Sequence, residues 1–219
     1  MFIEFVESLR CVRAHEESWL VLVADRMEAR NVLQGALGCP VCGARYPIAD
    51  GVADFRAAGA GAAAGAQEPL ERESAPPDPD EALRAAALLG LGDPGGTAAL
   101  AGSWGGVAPA LATIAPVHLL LVDPPFAARA AEGVSVVRTN GTLPLAAASL
   151  RGVALDERTS SPALVDSSVR ALRARGRLVA PAAVPVPPAV TELARDARHW
   201  VGEREAEPST PVGLRRRGV

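Results

Sequence analysis

The sequence predicts an α/β protein, in which a small N-terminal metal-binding unit precedes a larger, mainly parallel sheet covered by helices on both faces. All three cysteines lie within the first 42 of 219 residues, in a spacing typical of metal ligands. After residue 80, short apolar runs alternate with helix-compatible segments, which is the order of a parallel sheet with crossover helices. A hydrophobic content of 49% supplies enough apolar surface for two unequal domains.

The composition of the chain places the domain boundaries. Residues 56–81 contain almost no large apolar side chains, and such Gly-, Ala-, Pro- and charge-rich stretches do not form a core. We therefore expect a metal-binding domain over residues 1–56, a flexible linker over 57–80 and a larger domain over 81–219.

The charge and the N-terminal sequence indicate the compartment and the partners. A formal charge of −3 gives no general attraction to nucleic acid or anionic lipid, and the basic run Arg215 to Arg217 is short. Glu4 and Glu7 interrupt the apolar N-terminus, so no secretory signal is expected there. An odd number of cysteines suits a reducing compartment, and we expect a cytoplasmic protein. Residues 94–122 lack charge, but their glycines and prolines favour soluble elements over a membrane span.

The cysteines predict a zinc site with four protein ligands. Cys39 and Cys42 flank a Pro-Val pair and precede Gly43, a turn that supplies two vertices of a tetrahedron. Cys11 and His15 lie four positions apart and offer the other two ligands. The alternative is that Cys39 and Cys42 form a redox pair and that Cys11 and His15 are ordinary side chains. Redox pairs usually begin a helix, whereas "ARYPIADGVADF" follows here.

The elements between and after these residues are predicted in order. "SWLVLV" (18–23) predicts a strand, and "ADRMEARNVLQGAL" a short helix or loop that leads to the cysteine turn. An extended, turn-rich segment is expected after it.

The segment 1–56 resembles the Trm112-type zinc ribbon. The resemblance is carried by "LRCVRAH" and "LQGALGCPVCGARYPIADGVADF", with the Tyr46-Pro47-Ile48 run and the Asp50-Gly51 turn. The commoner Cys-x-x-Cys at the first position is replaced by Cys11 and His15. The resemblance implies a structural zinc ion and a protein partner, since domains of that family bind and stabilise methyltransferases or occur fused in front of one.

The larger half predicts strands alternating with helices. The first of these helices is expected to start directly behind Pro79 and Asp80, where the linker ends. Helices are then predicted over 81–90, 104–113, near 126–131 and over 163–174, and strands over 97–102, 117–122, 134–138, 150–156 and 176–181. "RHWVGERE" and "TPVGLRRR" are expected to pair antiparallel at one edge.

Residues 80–219 resemble a class I S-adenosylmethionine-dependent methyltransferase. The resemblance is carried by the order of these elements, by "TLPLAAASLRGVALDE" (142–157) and by "SVRALRARGRLVAP" (168–181). It implies a Rossmann-like fold with the cofactor at the carboxyl ends of the strands.

The cofactor residues implied by this resemblance are incomplete. Gly102 and Gly106 match the outer glycines of the family's turn, but Trp104 takes the middle position and Leu100 the acidic one. Asp123 follows the next strand, where the family places a carboxylate for the ribose hydroxyls.

Near the adenine, the family's aspartate is replaced by Thr139 or Asn140. We therefore expect a zinc-binding, methyltransferase-like protein without catalytic activity, which serves as a structural or partner-binding subunit. The alternative is an active methyltransferase that moves Trp104 aside.

Of the remaining residues, His118 is expected in the core and His199 at the surface. Asp156 and Glu157 are the first acids to test.

Overall fold

The computed structural model describes residues 1–56 and 79–206. Within them, two 3₁₀ helices span Ile3–Ser8 and Gly102–Val107. The α-helices are α1 (Pro79–Leu89), α2 (Ala108–Ile114) and α3 (Pro162–Ala171). The strands are β1 (Val21–Glu28), β2 (Asn31–Gly38), β3 (Arg45–Ala49), β4 (Val52–Asp54), β5 (Thr97–Ala101), β6 (His118–Val122), β7 (Val134–Arg138), β8 (Leu150–Ala154), β9 (Leu172–Pro181), β10 (Val190–Arg195) and β11 (His199–Arg204).

All strands of the described residues join one sheet in the order β1-β2-β3-β4-β7-β6-β5-β8-β9-β11-β10. The pairs from β4 to β9 are parallel, and the pairs at both ends are antiparallel. From β5 the chain runs outward through β6 and β7, and then returns to the other side of β5 as β8 and β9. The strand order therefore reverses between β5 and β8, and their carboxyl ends flank the crevice where open α/β sheets bind ligands.

Helices cover both faces of this sheet, as predicted. Alternate residues of a strand point to opposite faces. On β5, Ala98 and Leu100 share a core with α1 and α2, whereas Ala99 and Ala101 share the other core with α3. The fold is thus a Rossmann-like, mainly parallel sheet between two helical layers.

Strand pairing joins residues 1–56, the N-terminal part of the chain, to the parallel strands of the sheet. Val52 and Asp54 of β4 pair in parallel with Val136 and Arg138 of β7. The core on the α3 side also continues into the N-terminal half through buried side chains that include Phe55. Residues 1–56 therefore complete the sheet of the larger half within the same chain. The division into domains stays a prediction, because the predicted linker lies outside the described residues except for its last two positions.

The N-terminal segment also packs on the start of β6. The rings of Phe2 and Phe5 stack on His118, each with centroids 5.4 Å away. Burial lowers the pKa of His118 to about 4, so the imidazole is neutral at pH 7, and it lies 3.0 Å from the Ser135 hydroxyl. His118 is a packed residue, as the sequence indicated.

Two segments of the chain were assigned wrongly. The stretch expected as a helix or loop after residue 23 is a β-hairpin of β1 and β2, with Glu28 opposite Asn31. Residues 126–131 form no helix; at the start of this segment the carbonyls of Pro124 and Phe126 accept hydrogen bonds from the Arg138 guanidinium.

The C-terminal pairing also differs from the expectation. β11 lies between β9 and β10 and not at an edge, and "TPVGLRRR" falls outside the described residues. Within the described residues, every helix is too short or too polar to cross a lipid bilayer.

The turn of the first hairpin offers a test of its conformation. Ala29 and Arg30 have φ of 43° and 65°, a left-handed pair typical of two-residue hairpins that favours Asn and Gly. Ala29→Asn should raise the free energy of unfolding by about 0.5–1 kcal/mol, because Asn tolerates this region better than Ala. Ala29→Val should lower it, since a β-branched side chain is strained there. Urea unfolding of the three proteins measures both changes, and equal midpoints would contradict the turn.

Candidate metal centre and ligand crevice

The fold brings the four predicted metal ligands together. Cys11 and His15 follow the first 3₁₀ helix, and Cys39 and Cys42 lie in the turn between β2 and β3. One ligand atom from each side chain lies within 4.8 Å of every other. These four side chains could hold a metal ion.

The distances fit a tetrahedral site. Cys11 Sγ lies 3.7 Å from Cys42 Sγ, and Cys39 Sγ lies 3.5 Å from His15 Nε2. With zinc–sulfur and zinc–nitrogen bonds of about 2.3 and 2.0 Å, the edges of a tetrahedron are about 3.8 Å between sulfurs and about 3.5 Å from sulfur to nitrogen. The donor set and its spacing therefore suit zinc.

The backbone of the cysteine turn supports an ionised Cys39 thiol. The N–H of Gly43 donates to the Cys39 carbonyl, and φ of Gly43 is +70°, which glycine adopts without strain. Burial raises the pKa of Cys39, but hydrogen bonds from the backbone at Cys42 and Val41 and from neighbouring thiols outweigh it and lower the pKa to about 6. The turn joins two strands and begins no helix, so the structural context of a redox pair is missing.

An outer layer orients two of these ligands. His15 Nδ1 lies 2.6 Å from the Glu16 carbonyl, so a proton on Nδ1 leaves the Nε2 lone pair toward Cys39. The Tyr46 hydroxyl lies 3.1 Å from Cys11 Sγ. Burial raises the pKa of Tyr46, so the phenol keeps its proton and donates to the sulfur.

At the reversal point of the sheet, the turn after β5 is tied to the loop after β8. The Ser103 N–H donates to Asp156 Oδ2 at 2.7 Å, and Trp104 Nε1 donates to the Leu155 carbonyl at 3.1 Å. Gly102 has φ of +61°, and a Cβ there would lie 2.2 Å from Asp156 Oδ2. Only glycine lets the carboxylate approach this closely.

Asp156 is a structural anion. Its Oδ1 accepts from the N–H of Arg158, and from the N–H and hydroxyl of Thr159 at 3.0 and 2.8 Å. Burial raises its pKa, but these bonds together with that from Ser103 outweigh burial and lower it. The residue is 3% exposed, so the carboxylate of this predicted acid is used by the chain's own loops.

The other predicted cofactor residues lie near this edge. Gly106 belongs to the 3₁₀ helix after β5. Asp123 follows β6, and both of its oxygens accept from Thr139, Oδ1 from the N–H at 2.8 Å and Oδ2 from the hydroxyl at 2.5 Å. Burial raises the pKa of Asp123, with the Thr139 bonds acting against it. The assignment of Gly102, Gly106 and Asp123 to cofactor binding stays a prediction.

A cavity of about 230 Å³ remains beside the closed turn. Trp104 and His199 form one wall, with ring centroids 5.3 Å apart. His199, which was expected at the surface, is thus half-buried. Sequence analysis missed the residues at the mouth, namely Glu81, Arg84 and Arg198. No local pattern marks them, because α1 supplies two of them and the turn before β11, far along the chain, supplies the third.

Comparison with known proteins gives similarity of structure alone. No protein-family model and no curated protein matches the chain. A protein of Methanococcus maripaludis, assigned as an S-adenosyl-L-methionine-dependent methyltransferase, is similar with a TM-score of 0.44 and 10% identity over 61% of this chain and 87% of that one.

Two further structures are similar over about half of this chain. The antibiotic-resistance methyltransferase Kmr has a TM-score of 0.39 and 13% identity over 57% of this chain and 93% of its own. A protein of Anabaena variabilis, assigned as a methyltransferase of an antibiotic biosynthesis pathway, has a TM-score of 0.40 and 21% identity over 50% of this chain and 47% of its own. The strand order, and not the similarity to these structures, is the evidence for the fold.

Two glycine-to-alanine substitutions, one at Gly102 and a control at Gly106, test the contact between Gly102 and Asp156. Gly102→Ala should lower the free energy of unfolding by about 2 kcal/mol or more, because the left-handed backbone and the clash with the carboxylate both oppose it. At Gly106 a Cβ meets no atom within 4 Å. Gly106→Ala should therefore change stability by less than about 1 kcal/mol. Similar urea midpoints for the two variants would contradict the closed turn.

Proposed function

We propose that the protein is a zinc-containing, methyltransferase-like protein without catalytic activity, which acts as a structural or partner-binding subunit. The observation that carries the proposal is the closed turn after β5. Asp156 accepts from the backbone N–H of Ser103, the Leu155 carbonyl accepts from the Trp104 indole, and Trp104 stands where the family's turn has its middle glycine.

Binding of a nucleotide-like cofactor would have to break several of these contacts. In open α/β sheets the backbone of this turn approaches the ligand directly. Here the N–H of Ser103 is already bonded, and Trp104 is anchored through its indole and 9% exposed. The carboxylate of Asp123, the remaining predicted contact, is held by Thr139. The fold is retained, but the edge of the sheet at which such folds bind a ligand takes part in the protein's own packing.

Zinc has a structural role in this proposal. Cys11, His15, Cys39 and Cys42 would fill all four positions of a tetrahedral ion and leave none for water or substrate, which is typical of structural sites. The ion would join the N-terminal segment to the turn between β2 and β3. In a small ribbon of this kind, metal binding and folding are one equilibrium.

We further propose that residues 1–56 are a Trm112-type ribbon. The Cys39 turn, the Tyr46-Pro47-Ile48 run on β3 and the Asp50-Gly51 turn before β4 support this assignment. The pairing of β4 with β7 would let the ribbon stabilise the methyltransferase-like half of its own chain. A further protein partner, and not nucleic acid, is the ligand we propose for the whole molecule.

Measurements of zinc content and a comparison of two histidine-to-alanine variants test the metal assignment. Elemental analysis should give about one zinc per chain, lost when Cys39 and Cys42 become serine. His15→Ala should weaken zinc binding in a chelator competition by more than the roughly 10–100-fold typical of outer partners. His199→Ala serves as the control and should bind zinc like the wild type. A metal-free wild type that keeps its fold would contradict the proposal.

The absence of catalysis is tested by calorimetric titration with S-adenosylmethionine. The closed turn predicts no binding at about millimolar ligand, which corresponds to less than about 4 kcal/mol of binding free energy. The second candidate function is an active methyltransferase, favoured by the position of Asp123 at the end of β6 and by the cavity beside Trp104. That candidate predicts low-micromolar binding that Asp123→Asn weakens.

A further inference from the structure

The three cysteines of the chain differ in how far solvent reaches them. Cys42 is exposed, as is the whole of the turn over residues 40–43. Cys39 is 4% exposed, and its N–H donates to the Ala44 carbonyl at 2.8 Å. Cys11 is half-buried. Because oxidation of cysteine follows exposure, an oxidant in solvent reaches Cys42 first.

A second sulfur lies beside the exposed one. Cys11 Sγ is 3.7 Å from Cys42 Sγ, and the S–S bond of a disulfide is about 2.0 Å long. The exposed turn over residues 40–43 can supply the movement that closes this gap. Cys39 Sγ also lies within 4.8 Å of Cys42 Sγ, but Cys39 is buried and its backbone is bonded within the turn. Cys11 is therefore placed to react with an oxidised Cys42.

We infer that Cys11 and Cys42 form a reversible disulfide when the protein meets a peroxide, and that this reaction releases the ion from the metal centre. The inference rests on the proposed function, because the ion is the zinc proposed for these ligands. It concerns a different pair from Cys39 and Cys42, whose spacing first indicated a redox alternative. The pair inferred here joins two segments that are 31 residues apart in the chain.

The reaction balances with a single peroxide. The Cys42 thiolate attacks one peroxide oxygen and the O–O bond breaks, which gives a Cys42 sulfenic acid and hydroxide. The Cys11 thiolate then attacks the Cys42 sulfur. The S–S bond forms, the S–O bond breaks and a second hydroxide leaves. Each cysteine gives up one electron, and the peroxide takes up both.

The disulfide would replace the ion as the link between the N-terminal segment and the turn after β2. Once Cys11 and Cys42 are bonded to each other, only His15 and Cys39 remain as ligands, and two ligands do not complete a tetrahedral site. The loop between residues 11 and 42 contains β1 and β2, so the new bond restricts the unfolded chain across this hairpin. The oxidised protein therefore loses zinc while the two segments stay joined.

Peroxide treatment of the zinc-loaded, full-length protein tests the inference. Hydrogen peroxide should release about one zinc per chain to a coloured chelator, while two of the three thiols are lost. Peptide mass mapping should show Cys11 linked to Cys42, with Cys39 free. Dithiothreitol and added zinc should restore the thiols and the metal. The zinc content before treatment tests the proposed function separately, because a protein without zinc can still be mapped for this link.

Two cysteine-to-serine variants separate the roles of the thiols. Each removes one proposed ligand, so both disturb the metal centre in the same way. Cys39→Ser keeps both reacting sulfurs and should form the link between Cys11 and Cys42. Cys11→Ser lacks the second sulfur and should accumulate Cys42 sulfenic acid, which a cyclic diketone labels. Equal labelling of the two variants overturns the inference. So does a wild type that links Cys39 to Cys42, keeps all its thiols, or is not restored by dithiothreitol.

Discussion

The carboxylate of Asp156 holds together the two loops that flank the reversal point of the sheet. This contact decides how open the crevice at the carboxyl ends of the strands is. The carboxylate receives donors from Ser103 on one side and from Arg158 and Thr159 on the other. A buried anion with this many partners is costly to disturb, since breaking one partner leaves charge unsatisfied. The chain's own hydrogen bonds therefore shape the crevice, and Trp104 packs against the two loops that they hold.

The candidate metal centre lies at one end of the same sheet, beside β2 and β3. Cys11 comes from the N-terminal segment, and the Tyr46 hydroxyl that contacts it belongs to a ring packed 4.6 Å from Phe55. Phe55 in turn follows β4 and donates its N–H to the carbonyl of Arg138 at the end of β7. A continuous path of packed groups therefore links the proposed zinc site to the larger half. Loss of the ion should weaken this junction as well as the hairpin of β1 and β2.

Local signals made part of this structure predictable. The metal ligands and the central strands stand out because two-residue cysteine spacing and uninterrupted apolar runs are properties of the chain itself. The first hairpin was missed because Ala29 and Arg30 carry no turn signal, although they adopt left-handed φ. β10 was missed because most of its side chains are polar or exposed. The tie between Gly102 and Asp156 could not be predicted, since it joins residues that only the strand order brings together.

The indole signals of the protein in a ¹H–¹⁵N NMR titration with S-adenosylmethionine test the closed crevice most directly. Trp104 donates to Leu155 beside the proposed ligand position, whereas Trp19 is exposed on the N-terminal half and serves as an internal reference. We predict that the Trp104 signal does not move at about millimolar ligand, which corresponds to a binding free energy weaker than about 4 kcal/mol. A saturable shift of Trp104, with Trp19 unchanged, would contradict it.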